Sequence, residues 1–302
     1  MSKKQSFAPY LLMTPALCML FFFIVYPMIV NLFISFQRYD LTQIGRPFVG
    51  LKNYIAIAQD PRIWAAVQRT FIWTAINLTF MILLGLGAAQ LLSTGFSGNA
   101  FMKGVILIPW ILPSVITGYT WALMLSEDAG IITWMMKSLG LVSSNFSWFQ
   151  SGPLAMTAAI FANIWRGFPF FALMLFAKIS GLPTDHREAG TLEGASHWQM
   201  FRFITFPFIR PVIASCTFLA FIWTFNAYDI LKVMTNGGPA ELTTTMSLLV
   251  QKEAFQYYSL SNASTMSVIM FLLMLTVIYF FKVSSGIVRR VQKGRGRHVI
   301  EK

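Results

Sequence analysis

Six stretches of the chain contain no Asp, Glu, Lys or Arg: residues 5–37, 70–102, 104–126, 138–165, 211–228 and 254–281. Each is long enough, or nearly so, to hold the roughly 20 apolar residues that a bilayer-crossing helix requires. The pattern predicts helical spans at about 10–36, 70–92, 104–125, 154–177, 208–230 and 264–283. Buried helices of a soluble protein are the alternative, and six such runs in 302 residues argue against it. The expected fold is all-α, a polytopic membrane protein with six transmembrane helices forming a single domain over residues 1–302.

Composition agrees. Of the 302 residues 56% are hydrophobic and 11% charged, against roughly 25% charged in ordinary soluble domains. Lys3 and Lys4 ahead of an apolar stretch suggest a signal peptide. However, the run far exceeds a 7–15-residue signal core and has no small-x-small cleavage site before Tyr26-Pro27, so it reads as a retained span. Cys18 and Cys216 both fall inside spans and read as small buried hydrophobes. The net charge of +12 would suggest nucleic acid in a soluble protein. Here the bases concentrate in Arg289-Arg290-Val-Gln-Lys293-Gly-Arg295-Gly-Arg297, directly after the last span. Such a tail sets topology and meets anionic lipid rather than nucleic acid. Both termini are expected in the cytoplasm, although the five bases between spans one and two (Arg38, Arg46, Lys52, Arg62, Arg69) pull the other way.

The chemistry of an enzyme is missing. No G-x-x-x-x-G-K-[ST] loop is present to cradle a nucleotide, and no H-E-x-x-H or G-x-S-x-G occurs. The three histidines, His186, His197 and His298, lie outside the spans. No metal, catalytic residue or resident cofactor is expected. The main charges inside spans are Arg166 and Asp229. At mid-membrane each costs about 2.5–3.5 kcal/mol on insertion scales, so such residues face a cavity or a partner.

The segment between spans four and five, residues 183–207, reads PTDHREAGTLEGASHWQMFRFITFP. Asp185-x-x-Glu188 has the spacing of a capping box that would open a short helix. Gly190 and Gly194 interrupt, and a second short helix is predicted from about Ser196 to Ile204, stopped by Pro207. Glu188-Ala189-Gly190-x-x-Glu193-Gly194-Ala195, followed by Phe201, Ile204 and Phe206-Pro207, resembles the EAA loop of binding-protein-dependent ABC importer permeases. The family pattern is E-A-A-x-x-D-G-A, then apolar positions ending I-x-L-P. This chain departs from it at Gly190, Glu193 and Phe206, with the spacing intact. The resemblance implies a coupling helix docked on separate ATPase subunits that bind ATP and Mg. On that reading Glu188, Ala189, Gly190, Glu193, Gly194, Ala195, Ile204 and Pro207 are the coupling residues. Glu188 would meet the ATPase, Gly194 would permit the turn, and Pro207 would fix the exit into span five.

Two further motifs are similar to the carbohydrate-uptake branch, of maltose and glycerol-phosphate type. One is Phe48-Val49-Gly50-Leu51-Lys52-Asn53-Tyr54, after the first span. The other is Thr235-Asn236-Gly237-Gly238-Pro239 followed by Thr243-Thr244-Thr245. The resemblance implies a sugar-translocating subunit of the cytoplasmic membrane that is not itself an enzyme. Its implied partners are an ATPase dimer, a second homologous permease, an extracytoplasmic sugar-binding protein and lipid. The sugar-lining positions of the maltose type fall on Trp165, Gly167 and Phe170 in span four, and on Ala220, Trp223, Thr224 and Ala227 in span five. Asn226 is placed to add an amide, and Gly167 with Pro169 to loosen the helix. An ion-coupled carrier, or an ABC permease for a non-sugar solute, is the alternative.

Overall fold

The computed structural model describes residues 8–39 and 45–300, with side chains over 11–39 and 45–283. Lys3, Lys4 and the side chains of the basic tail lie outside the described residues. Helices run in the order α1 (Ala8–Leu20), α2 (Tyr26–Ser35), α3 (Lys52–Gln59), α4 (Pro61–Ser93), α5 (Asn99–Ile111), α6 (Ser114–Met124), α7 (Ile131–Ser138) and α8 (Gly152–Ser180). They continue as α9 (Thr184–Leu192), α10 (His197–Met200), α11 (Phe206–Phe225), α12 (Asp229–Met234), α13 (Met246–Phe255) and α14 (Leu260–Ile300). Five segments are long and apolar enough to cross a membrane, and the bent pair α5–α6 makes a sixth when it counts as one span.

The chain packs as two units, residues 1–64 with 249–302, and residues 65–248. In the first unit, the Phe48–Tyr54 motif clamps the end of α2. Asn53 Nδ2 donates to the carbonyls of Ser35 and Gln37, each at 2.9 Å. The Tyr54 hydroxyl pairs with Ser35 Oγ at 2.7 Å, and Thr265 Oγ1 of α14 donates to the same Ser35 carbonyl at 3.2 Å. The last carbonyls of a helix have no partner within it, and here Asn53 and Thr265 satisfy that of Ser35. Gly50 turns at φ +58°, a region glycine enters without steric cost.

The second unit is built on α4 and α8. Trp73, Asn77, Met81 and Ala89 are buried on one stripe of α4, with Gly85 in register at the same four-residue interval. Ile72, Phe80, Leu83 and Leu91 face outward. Asn77 meets Asn163, Met81 abuts Gly167, and Gly85 abuts Phe171. Both numbers of each pair rise together, so α4 and α8 run parallel. The chain must therefore cross back between them, and α5–α6 does so. Along α8 the contacts are Lys103 with Phe176, Trp110 with Phe170, Leu112 with Arg166 and Trp121 with Phe161, an antiparallel order maintained through the bend.

Three expectations are corrected. The third span is not one straight helix: it breaks at Leu112-Pro113 and turns by 97°. Leu112 is extended (ψ 133°), as the residue before a proline prefers, because the ring clashes with a helical predecessor. Pro207 does not stop the loop helix. The backbone passes from α10 through a π turn, Phe201–Thr205, directly into α11, with Phe206 N–H bonded to Phe201 O. A π turn widens the helix just before a ring that would crowd a carbonyl one turn back. The first span repeats the device, with a π turn over Phe21–Val25 ahead of Pro27. Finally, α8 is unbroken through Pro169. Gly167 does not loosen it; the glycine admits Met81, whose Sδ would lie 2.7 Å from an added Cβ.

Candidate functional site

Two places in the second unit concentrate the singled-out residues. The first is the loop after α8. No side chain caps α9, whose N-cap is Pro183, so the expected Asp185/Glu188 box does not form. Asp185 instead sits in the first turn, where a carboxylate favours the positive end of the helix dipole. The capping box present is at α10: Gln199 N–H donates to Ser196 Oγ at 3.3 Å, and Ser196 N–H to Gln199 Oε1 at 2.8 Å. Ser196-x-x-Gln199 was legible as that signature.

Between the helices Gly194 adopts φ +73°. Gly190 is buried against the second helix, and an added Cβ would lie 2.8 Å from Met200 Cε and 2.9 Å from Ile204 Cδ1. This accounts for glycine at that position: Met200 and Ile204 occupy the volume. The two short helices form a concavity of about 390 Å³ lined by Gly190, Glu193, Gly194, Ala195, Gln199, Phe203 and Ile204. Glu188 and Ala189 lie exposed on α9, and Pro207 lies exposed at the start of α11. The loop is attached at both ends. Arg187 Nη2 donates to the Ile179 carbonyl of α8 at 3.1 Å, and α10 continues into α11. The loop is thus joined to both flanking spans. Arg187 was not singled out, because a base in a loop between spans reads first as a topology signal.

The second place is a cavity of about 70 Å³ among α4, α5, α8 and α11. Of the expected sugar-lining residues it brings together Gly167, Phe170, Ala220, Trp223, Thr224 and Ala227, and it adds Met81, Trp110, Asn163 and Arg166. Trp110 stacks on Phe170 at 6.2 Å, and Trp223 meets Phe170 edge-on at 5.3 Å, giving three aromatic walls. Trp165 lies elsewhere on α8, edge-on to Trp121 at 5.7 Å. Asn226 is also outside the lining, and its Nδ2 donates to the Ile222 carbonyl at the end of α11. The amide at the cavity is that of Asn163, and behind it Trp73 Nε1 donates to the Thr224 carbonyl at 3.0 Å. Asn163 carried one sequence signal, a polar side chain inside an apolar run, which needs a partner in a bilayer.

Parallel and antiparallel apolar helices, a small polar-floored cavity among them, and a loop continuous with one span are those of an α-helical membrane protein. The chain belongs to the binding-protein-dependent transport system inner membrane components, whose family model matches residues 81–293. It is 33% identical over 276 residues to the trehalose/maltose transport system permease protein MalF of Thermococcus litoralis, covering 89% of this chain and 91% of that one. It is 32% identical over 269 residues to the sulfoquinovosyl glycerol transport system permease protein SmoG of Agrobacterium fabrum, covering 88% and 86%. Its fold matches a bacterial ABC transporter involved in the import of the acidic polysaccharide alginate, with a TM-score of 0.80, 20% identity, and 93% and 96% of the two chains covered. The chain has the ABC importer permease fold.

Proposed function

We propose that this chain is one permease subunit of an ATP-driven importer that moves a sugar or sugar derivative across the cytoplasmic membrane by alternating access. The observation that carries the reading is the loop 183–207. It is held to α8 by Arg187 and is continuous with α11, so force applied there is delivered to the two spans that bound the cavity. Its exposed Leu192, Trp198 and Phe203 offer apolar surface suited to a cleft on an ATPase subunit. ATP and Mg belong to that partner, and this chain transmits.

The sugar reading is supported by the aromatic walls, since pyranose rings stack on Trp and Phe faces, and by the named substrates of the two relatives. At about 70 Å³ the cavity is far smaller than the roughly 300–1,000 Å³ of typical ligand pockets. It is one wall of a site whose other wall comes from a second permease. An extracytoplasmic binding protein delivers the solute, and both termini face the cytoplasm.

The test is reconstitution of the copurified complex in proteoliposomes. Glu188→Lys and Gly194→Val should leave membrane insertion intact while ATP hydrolysis no longer drives uptake. Normal coupled uptake in both variants would reject the assignment, as would purification without any nucleotide-binding subunit.

A further inference from the structure

We infer that Arg166 makes the cavity selective for an acidic sugar, the guanidinium gripping a carboxylate on the transported molecule. The inference rests on the cavity lying on the substrate path. Arg166 Nε donates to the Leu112 carbonyl at 3.2 Å, where α5 ends and the third span breaks. A helix C-terminus carries partial negative charge, so the break anchors the inner nitrogen of the side chain. The two terminal NH2 groups have no partner among the described residues, and Arg166 lines the cavity. Asp229 lies outside the lining and accepts a hydrogen bond from Ser114 Oγ at 2.8 Å. It forms no ion pair with Arg166 within 4.0 Å among the described residues, and it acts on the guanidinium only as a more distant opposite charge.

The donor and acceptor inventory of this wall points to the ligand class. A guanidinium has five N–H donors and no acceptor, and one is spent on Leu112. Asn163 commits an N–H to Asn77. With the Thr224 hydroxyl, its amide oxygen is the side-chain acceptor left to the lining, which holds no carboxylate. A hydroxyl, as on any sugar, can accept from these donors but leaves the guanidinium charge uncancelled. A carboxylate only accepts, matches the fork of a guanidinium with two parallel hydrogen bonds, and cancels a charge that is costly inside a membrane. Trp110 and Trp223 then hold the ring that carries it.

The test uses the importer complex copurified through this chain and held in nanodiscs. Its intrinsic tryptophan fluorescence is titrated at neutral pH with D-glucose, D-glucuronate and the neutral isostere D-glucuronamide. Glucuronate should bind at least about tenfold more tightly than the other two, as a charge-assisted pair implies. Arg166→Gln should bring glucuronate to the level of glucuronamide, and Arg166→Lys, which keeps the charge without the fork, should retain part of the preference. Trp223→Phe should remove the part of the signal that arises at this cavity. Equal affinity for all three sugars, or a preference that survives Arg166→Gln, overturns the inference and leaves the transport reading standing. A wild-type complex that responds to none of the three overturns the placement of the substrate path itself.

Discussion

Asn163 of α8 donates through Nδ2 to Asn77 Oδ1 of α4 at 2.7 Å, and both side chains are buried between parallel spans. Asn77 passes the chain on, its own Nδ2 donating to the Trp73 carbonyl at 2.8 Å. In a bilayer an amide without a partner is expensive, so this pair holds the two helices in register at the level of the cavity. A double-mutant cycle with Asn77→Ala, Asn163→Ala and the combination, read by unfolding in mixed micelles, should return a coupling energy of about 0.6–1.7 kcal/mol. Additive single effects would show that the two amides act independently.

One step further along the same seam, two glycines differ in what surrounds them. An added Cβ on Gly85 would collide with Phe171 Cβ and lie 3.0 Å from the backbone nitrogen of Ala172, neither of which can move freely. On Gly167 the colliding atoms are the flexible end of Met81. Gly85→Ala should therefore cost about 1–3 kcal/mol or more through overpacking. Gly167→Ala should cost less and be rescued by Met81→Ala. The measurement is thermal unfolding of the purified complex; a rescue of Gly85→Ala by Met81→Ala would contradict this packing.

The charge-free runs overlap all five candidate spans and the bent pair, because exclusion of ions from a bilayer is a strong one-dimensional signal, although the run 138–165 stops halfway along α8 at Arg166. They were silent on direction. Residues 104–126 are uncharged throughout, and only the conformational preference imposed by Pro113 breaks the helix there. Pro207 misled for the converse reason: a π turn absorbs the ring, and nothing in the composition of Phe201–Thr205 announces one. At the cavity, Gly167, Phe170, Ala220, Trp223, Thr224 and Ala227 were reachable through the resemblance to maltose-type permeases. Trp110 and Asn163 were not, since their places depend on how α5 and α4 pack on α8. Arg166 was visible as an intramembrane charge, and only its bond to Leu112 reveals which way it faces.

Just before α4, Asp60 caps the helix by accepting from the Arg62 backbone N–H at 2.8 Å, while the Arg62 guanidinium reaches its other oxygen at 2.7 Å. The Arg62 side chain holds the carboxyl below its usual range, against a smaller opposing effect of burial. A carboxylate with a depressed folded pKa contributes stability that is full above its unfolded value, near 4, and lost as pH falls through the folded one. Asn at 60 keeps the cap and removes the charge. The stability gap between wild type and Asp60→Asn should be constant from about pH 7 to 5 and close below about pH 4. Thermal-shift curves across that range would show it. The effect is small, because Arg62 is largely solvent-exposed.

The turn between α9 and α10 separates two demands that one glycine motif combines. Gly194 sits at φ +73° with nothing within 4 Å of an added Cβ, so its constraint is conformational alone. Gly190 is the reverse: an ordinary helical backbone with Met200 and Ile204 where a methyl would go. Gly194→Ala should cost about 1–2 kcal/mol from left-handed strain, and Gly194→Asn less, since Asn enters that region more readily. Gly190→Ala should be relieved by shortening Met200 to Ala, whereas no partner substitution should relieve Gly194→Ala. Read as ATP-driven uptake in proteoliposomes, Gly190→Ala/Met200→Ala should then couple better than Gly190→Ala alone. If Gly194→Asn couples no better than Gly194→Ala, the turn conformation is not what the loop needs from that residue.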